Sequence, residues 1–138
     1  MVSSEVQSIK PIHEPKRLVQ HITLTGIEKN LICIQIIDHK RYKDLLDKLK
    51  EECLYYQGNT EDGSLYFFFQ YEESLTNLRP MEQIIPHRGM NIFYNVFVPI
   101  APSYYFVNDI RYEFYNIKFN IPSKMSSELI NLIISFND

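Results

Sequence analysis

The sequence predicts an α+β fold: one domain built on an antiparallel or mixed sheet of about five to seven strands, with two main amphipathic helices packed on one face. Three observations lead there. At 138 residues, 45% hydrophobic and 22% charged, the chain can bury the core of one ordinary domain and is too short for two comfortable ones. Two stretches carry apolar residues at spacings of three and four, the mark of a helix with one buried stripe. Between and around them lie alternating or continuous apolar runs, rich in Ile, Tyr and Phe and bounded by turn residues, as strands are.

Taken in order, residues 1–18 contain Pro11 and Pro15 and show no sustained period, so they read as an extended arm whose first half could add an edge strand, ahead of a single domain over 19–138. Ile22 and Leu24 alternate up to Gly26, and residues 31–37 follow after the turn at 27–30. This predicts a hairpin whose second strand is apolar on both faces, as a strand covered on both sides must be. Asp38 stands at an N-cap position, and Tyr42, Leu45, Leu46, Leu49 and Cys53 form the stripe of the first helix. Gly58 offers a stop or a turn, and Asp62-Gly63 is a hairpin signal before the strand at 65–71, where Leu65, Phe67, Phe69 and Tyr71 share one face and Tyr66 and Phe68 the other.

Ser74 is placed to cap a short helix that Pro80 must bend or end. Residues 90–100 read as a long central strand, and residues 104–107 with 110–121 as a hairpin turning at Asn108-Asp109. Along the second arm the apolar register moves from Ile110, Tyr112 and Phe114 to Tyr115, Ile117, Phe119 and Ile121, which predicts a bulge near residues 114–116. Pro122-Ser123 is read as the start of the last helix, with Met125, Leu129, Leu132, Ile133 and Phe136 as its buried stripe.

Composition narrows function. A net charge of -3 disfavours a protein whose main affinity is for a phosphate backbone, because that affinity needs clustered Lys and Arg; Lys40, Arg41 and Lys43 are the nearest approach to a patch. Two cysteines do not make a secreted disulfide scaffold, no apolar run approaches membrane-spanning length, and the chain opens on polar residues, so a cytoplasmic protein without a membrane partner is expected. The histidines at 13, 21, 39 and 87 have no metal-ligand spacing, and the four glycines are not clustered as a phosphate-cradling loop requires; no metal and no cofactor is expected. Cys33 and Cys53 lie on apolar stripes and read as core.

Two groups of residues are candidates for binding. His87 and Arg88, in a Pro86-to-Gly89 loop, could hold an anion, or could move a proton, since the guanidinium lowers the imidazole pKa. Tyr104, Tyr105, Tyr112 and Tyr115 lie along two neighbouring strands, where rings can stack on bases or on a protein surface. Ten Tyr and nine Phe, without Trp, are more ring surface than one small core readily hides.

Residues 21–71, through His21-Ile22-Thr23-Leu24-Thr25-Gly26, the strand at 31–38, the helix at 42–49 and the strand at 65–71, are similar to the amino-terminal domain of the bacterial division inhibitor MinC. The similarity covers about a third of the chain and carries no functional motif, so it implies nothing about activity. The leading expectation is a small non-catalytic regulator, inhibitor, or immunity or adaptor protein of the kind that phages and mobile elements encode. It would bind another protein, or a second copy of itself, through an aromatic sheet face or edge. The alternative is a nucleic-acid- or nucleotide-binding protein using the basic helix start and the tyrosines; an enzyme, resting on His87 and Arg88 alone, comes third.

Overall fold

The chain forms eight strands and two helices across residues 2–7, 17–77 and 89–136, which are the residues the computed structural model describes, with side chains over 21–76 and 89–136. They are β1 (Val2–Gln7), β2 (Arg17–Leu24), β3 (Ile32–Ile36), α1 (Lys43–Glu52), β4 (Tyr55–Asn59), β5 (Leu65–Phe69), a 3-10 turn (Glu73–Asn77), β6 (Met90–Phe93), β7 (Phe97–Val107), β8 (Ile110–Lys118) and α2 (Ser127–Ser135). Every pairing is antiparallel, and the strands lie in the order β1-β2-β7-β8-β4-β5-β3-β6.

The sheet curls because β6 and β7 are two arms of one segment bent at Asn95, whose φ of 62° is left-handed. The long strand expected over residues 90–100 is thus two strands: β6 at the far edge on β3, and β7 between β2 and β8. Thr25 pins the corner. Its N–H donates to the Val96 carbonyl at 2.9 Å, its carbonyl accepts from Asn95 N at 3.0 Å, and its hydroxyl donates to the same Val96 carbonyl at 2.7 Å. The expected hairpin over residues 21–37 is likewise not formed. Apart from a single bridge between Gly26 and Leu31, β2 pairs with β1 and β7 while β3 pairs with β5 and β6, because the chain turns this corner between them.

Burial follows from the curl. On one side Ile32, Ile34, Ile36, Phe67 and Phe69 join Tyr42, Leu45, Leu46 and Leu49 of the α1 region and Leu129 and Ile133 of α2 in one buried cluster. On the inner side Leu31, Cys33, Phe68 and Val98 form a second, with Tyr55, Tyr66, Phe93 and Ile100 against it. All five residues of β3 are buried, and four of them are apolar, Gln35 being the exception.

Local signals explain the ends of the elements. The β7–β8 turn falls at Asn108-Asp109, both at positive φ, a conformation these two residue types tolerate better than most. Asp38 accepts from Arg41 N through Oδ1 at 3.0 Å, but this closes a turn before α1, and Tyr42 occupies the cap position. The second helix begins later than Pro122-Ser123. The Pro122 and Ser123 carbonyls accept from Gln70 at the end of β5, at 3.3 and 2.9 Å, so this segment is tied down in extended form; Ser126 caps α2 instead, accepting from Leu129 N at 3.1 Å. Gly58 does not stop anything: it lies within β4, where a Cβ would come 2.6 Å from the Tyr115 ring, so glycine is what allows that ring to lie on the strand.

Candidate interaction surface

The inner face of the curled sheet carries several buried polar side chains, and these are engaged. Gln35 donates to the Tyr66 hydroxyl at 3.0 Å and accepts from Asn91 Nδ2 at 3.0 Å, all three reaching inward from adjoining strands. Gln57 bridges β4 to β7, donating to the Pro99 carbonyl at 2.8 Å and accepting from Ala101 N at 2.9 Å. Its amide thus takes the place of a peptide group where the two strands are not paired. Among the described residues no buried side-chain nitrogen or oxygen lacks a partner. Such a face is a satisfied core network rather than a set of groups waiting for a ligand.

Cys33 and Cys53 are buried and unpaired, and burial pushes the Cys53 thiol up to about 11, which fits two small core residues rather than a nucleophile. No cluster of three or more His, Cys, Asp or Glu with metal-binding geometry occurs among the described residues.

The four candidate tyrosines are divided between two faces. Tyr105 pairs across the hairpin with Tyr112, their rings 5.9 Å apart, on the side that continues to Phe114 and Tyr66. Tyr105 donates a hydrogen bond to Glu61, and burial together with that carboxylate raises its pKa above the ordinary tyrosine value. That puts a carboxylate, not a cation, on the face that base stacking would use. Tyr104 is on the opposite side, under the Arg111 guanidinium at 4.2 Å, and Tyr115 lies on that side over Gly58. His87 and Arg88 lie outside the described residues.

The exposed apolar surface is elsewhere. Five of the nine large apolar side chains exposed among the described residues fall within 110–121. Tyr115 is 41% exposed, Ile117 46%, Phe119 72% and Ile121 77%, and all seven residues from 115 to 121 are exposed. Leaving these four side chains largely in water forgoes on the order of 5 kcal/mol of burial, comparable with the net stability of a small domain.

The backbone explains the exposure. β7 and β8 pair only between residues 104–107 and 110–113, after which β7 departs. Opposite β2 it carries extra residues between Ile100 and Tyr104, where Ser103 turns its hydroxyl back to accept from His21 N at 2.7 Å and to donate to the Ile100 carbonyl at 2.6 Å. Among the described residues, 114–118 of β8 therefore pair with β4 alone. The register there slips between Tyr56 and Gln57, so that Ile117 is the bulged residue, one position beyond the expected bulge, and Lys118 comes to the same face as Tyr115. Sequence reasoning picked Tyr115 but passed over Ile117, Phe119 and Ile121; their alternation was visible, but not that among the described residues no second strand lies beside them.

Comparison with known proteins finds no matching family model, no similar curated protein and no similar solved structure. The hairpin that contributes to the MinC-like pattern is, as described above, not formed.

Proposed function

We propose that this chain is a non-catalytic protein-binding module, of regulator, inhibitor or adaptor type. In this reading the two helices cover one face of the sheet, and the distal part of β8 with the segment after it is the contact surface. One observation carries the reading: seven consecutive exposed residues, with Tyr115, Ile117, Phe119 and Ile121 among them, the first four on a strand that among the described residues has a neighbour on one side only. Isolated exposed apolar residues need no explanation, but a run of them along an open strand offers both apolar anchors and main-chain hydrogen bonds to a partner.

The test compares wild type with a Phe119→Ser, Ile121→Ser double variant. Wild type is expected to retain a protein from its native host that can be identified, purified and shown to bind directly, and the double variant to bind it at least roughly tenfold more weakly. Equal binding by both proteins would refute the assignment of the surface, and no direct binder for wild type would refute the role.

A further inference from the structure

We infer that the partner of this edge is a second copy of the same chain, added antiparallel across residues 114–118 of β8. The inference rests on the reading of residues 115–121 as a contact surface and names its occupant.

An antiparallel partner must offer N–H and C=O groups in the complementary order, and an open strand edge always offers that order to its own two-fold copy. Such pairing closes on itself, because each copy's open stretch of β8 is covered by the other's. The ends of β8 agree with it. Glu113 sits where the pairing with β7 stops and is held by Arg111 at 3.3 Å. Lys118, at the other end of the open stretch, has no carboxylate partner among the described residues, its amine standing 6.0 Å above the Tyr56 ring. The bulge at Ile117 places Lys118 on the face that Tyr115 and Glu113 share. Running a second copy in the opposite direction along 114–118 brings Lys118 of each chain within diagonal reach of Glu113 of the other, whose directly opposite place is held by Tyr104 of β7, and sets the Tyr115 residues of the two copies on one shared face.

Sedimentation equilibrium of the full chain over a range of concentrations is the direct measurement, with wild type expected to dimerise. Glu113→Lys and Lys118→Glu single variants each place two like-charge contacts in the symmetric dimer. Each is expected to weaken self-association about a hundredfold, roughly tenfold per contact. Mixing the two variants restores both pairs as opposite charges, so the mixture is expected to form a mixed dimer when neither variant dimerises alone. This step does not depend on how wild type and variants compare in stability.

A wild-type chain that stays monomeric at every concentration, or a mixture no more associated than its components, overturns the inference. A monomer that still binds another purified protein through the same residues overturns it too, while leaving the binding role standing. A charge-dependent dimer without any other partner upholds it and removes the regulatory role instead.

Discussion

Strand β5 and the far end of β8 are built from the same kinds of residue and meet opposite fates. In β5, Phe67, Phe68 and Phe69 are all completely buried: β3 and β4 flank the strand, and a hydrophobic cluster lies on each face. Past Phe114, β8 has one neighbouring strand among the described residues, and every residue from 115 to 121 is exposed. The difference lies in the neighbours rather than in hydrophobicity. A chain that hides three consecutive phenylalanines has not run out of core, so the apolar surface at 115–121 is localised and is not an overflow from packing. The largest effect that would sharpen this contrast is a pair of truncations. Phe67→Ala, which removes a ring stacked at 4.7 Å on Tyr56 inside the larger hydrophobic cluster, is expected to cost about 3–5 kcal/mol in denaturant unfolding. Phe119→Ala is expected to cost less than about 1 kcal/mol, because its ring has only an edge contact with Tyr55. Similar losses for the two would mean that the far end of β8 is part of the core.

What could be read from the sequence divides along the same line. Helix α1 and the turn at Asn108-Asp109 were legible because their determinants are local: a stripe of Leu45, Leu46 and Leu49, and two residues that tolerate positive φ. Strand β4 was missed because Gln57, Gly58 and Asn59 look like a loop. Each is buried in a strand for a reason supplied from far along the chain: Pro99 and Ala101 for Gln57, the Tyr115 ring for Gly58, the Tyr105 hydroxyl for Asn59. The pairing of β2 with β7 rather than β3 was equally invisible, since hydrophobic alternation says which face a residue is on and not which strand lies beside it. For the same reason the ring surplus was legible as a quantity, but not the place where it would be left uncovered.

The next effect in size tests whether β7 is held in place by side chains where strand pairing is absent. Replacing Gln57 by Leu keeps the volume and removes both bonds of the amide, leaving the Pro99 carbonyl and the Ala101 N–H without the partners they have now. The expected loss is about 2–3 kcal/mol, with faster hydrogen exchange at Ala101 N–H. Unchanged exchange at that amide would show that β7 is held by its pairing with β2 alone.

The smallest effect concerns the polar inner face, and here the sign can be worked out. Tyr66 and Tyr105 have ordinary values of 10.0 that are raised in the folded protein, by burial first and, for Tyr105, then by the hydrogen bond to Glu61. Between the ordinary and the raised value the native state holds a proton that the unfolded chain has lost, so stability falls as pH rises. The contribution is complete below pH 10.0 and is lost as pH climbs through the raised folded value. Buried Cys33 and Cys53 shift in the same direction, from 9.0, and extend the decline to slightly lower pH. Denaturant midpoints followed from about pH 8 to about pH 11 are therefore expected to drop steadily. Tyr105→Phe should cost about 1 kcal/mol or less at neutral pH, since the ring is only half-buried, and should make the alkaline decline shallower without abolishing it, because Tyr66 still titrates. A decline of unchanged slope would place the Tyr105 hydroxyl in water, and the face it shares with Tyr112 would then belong with the exposed arm of β8 rather than with the enclosed network around Gln35 and Tyr66.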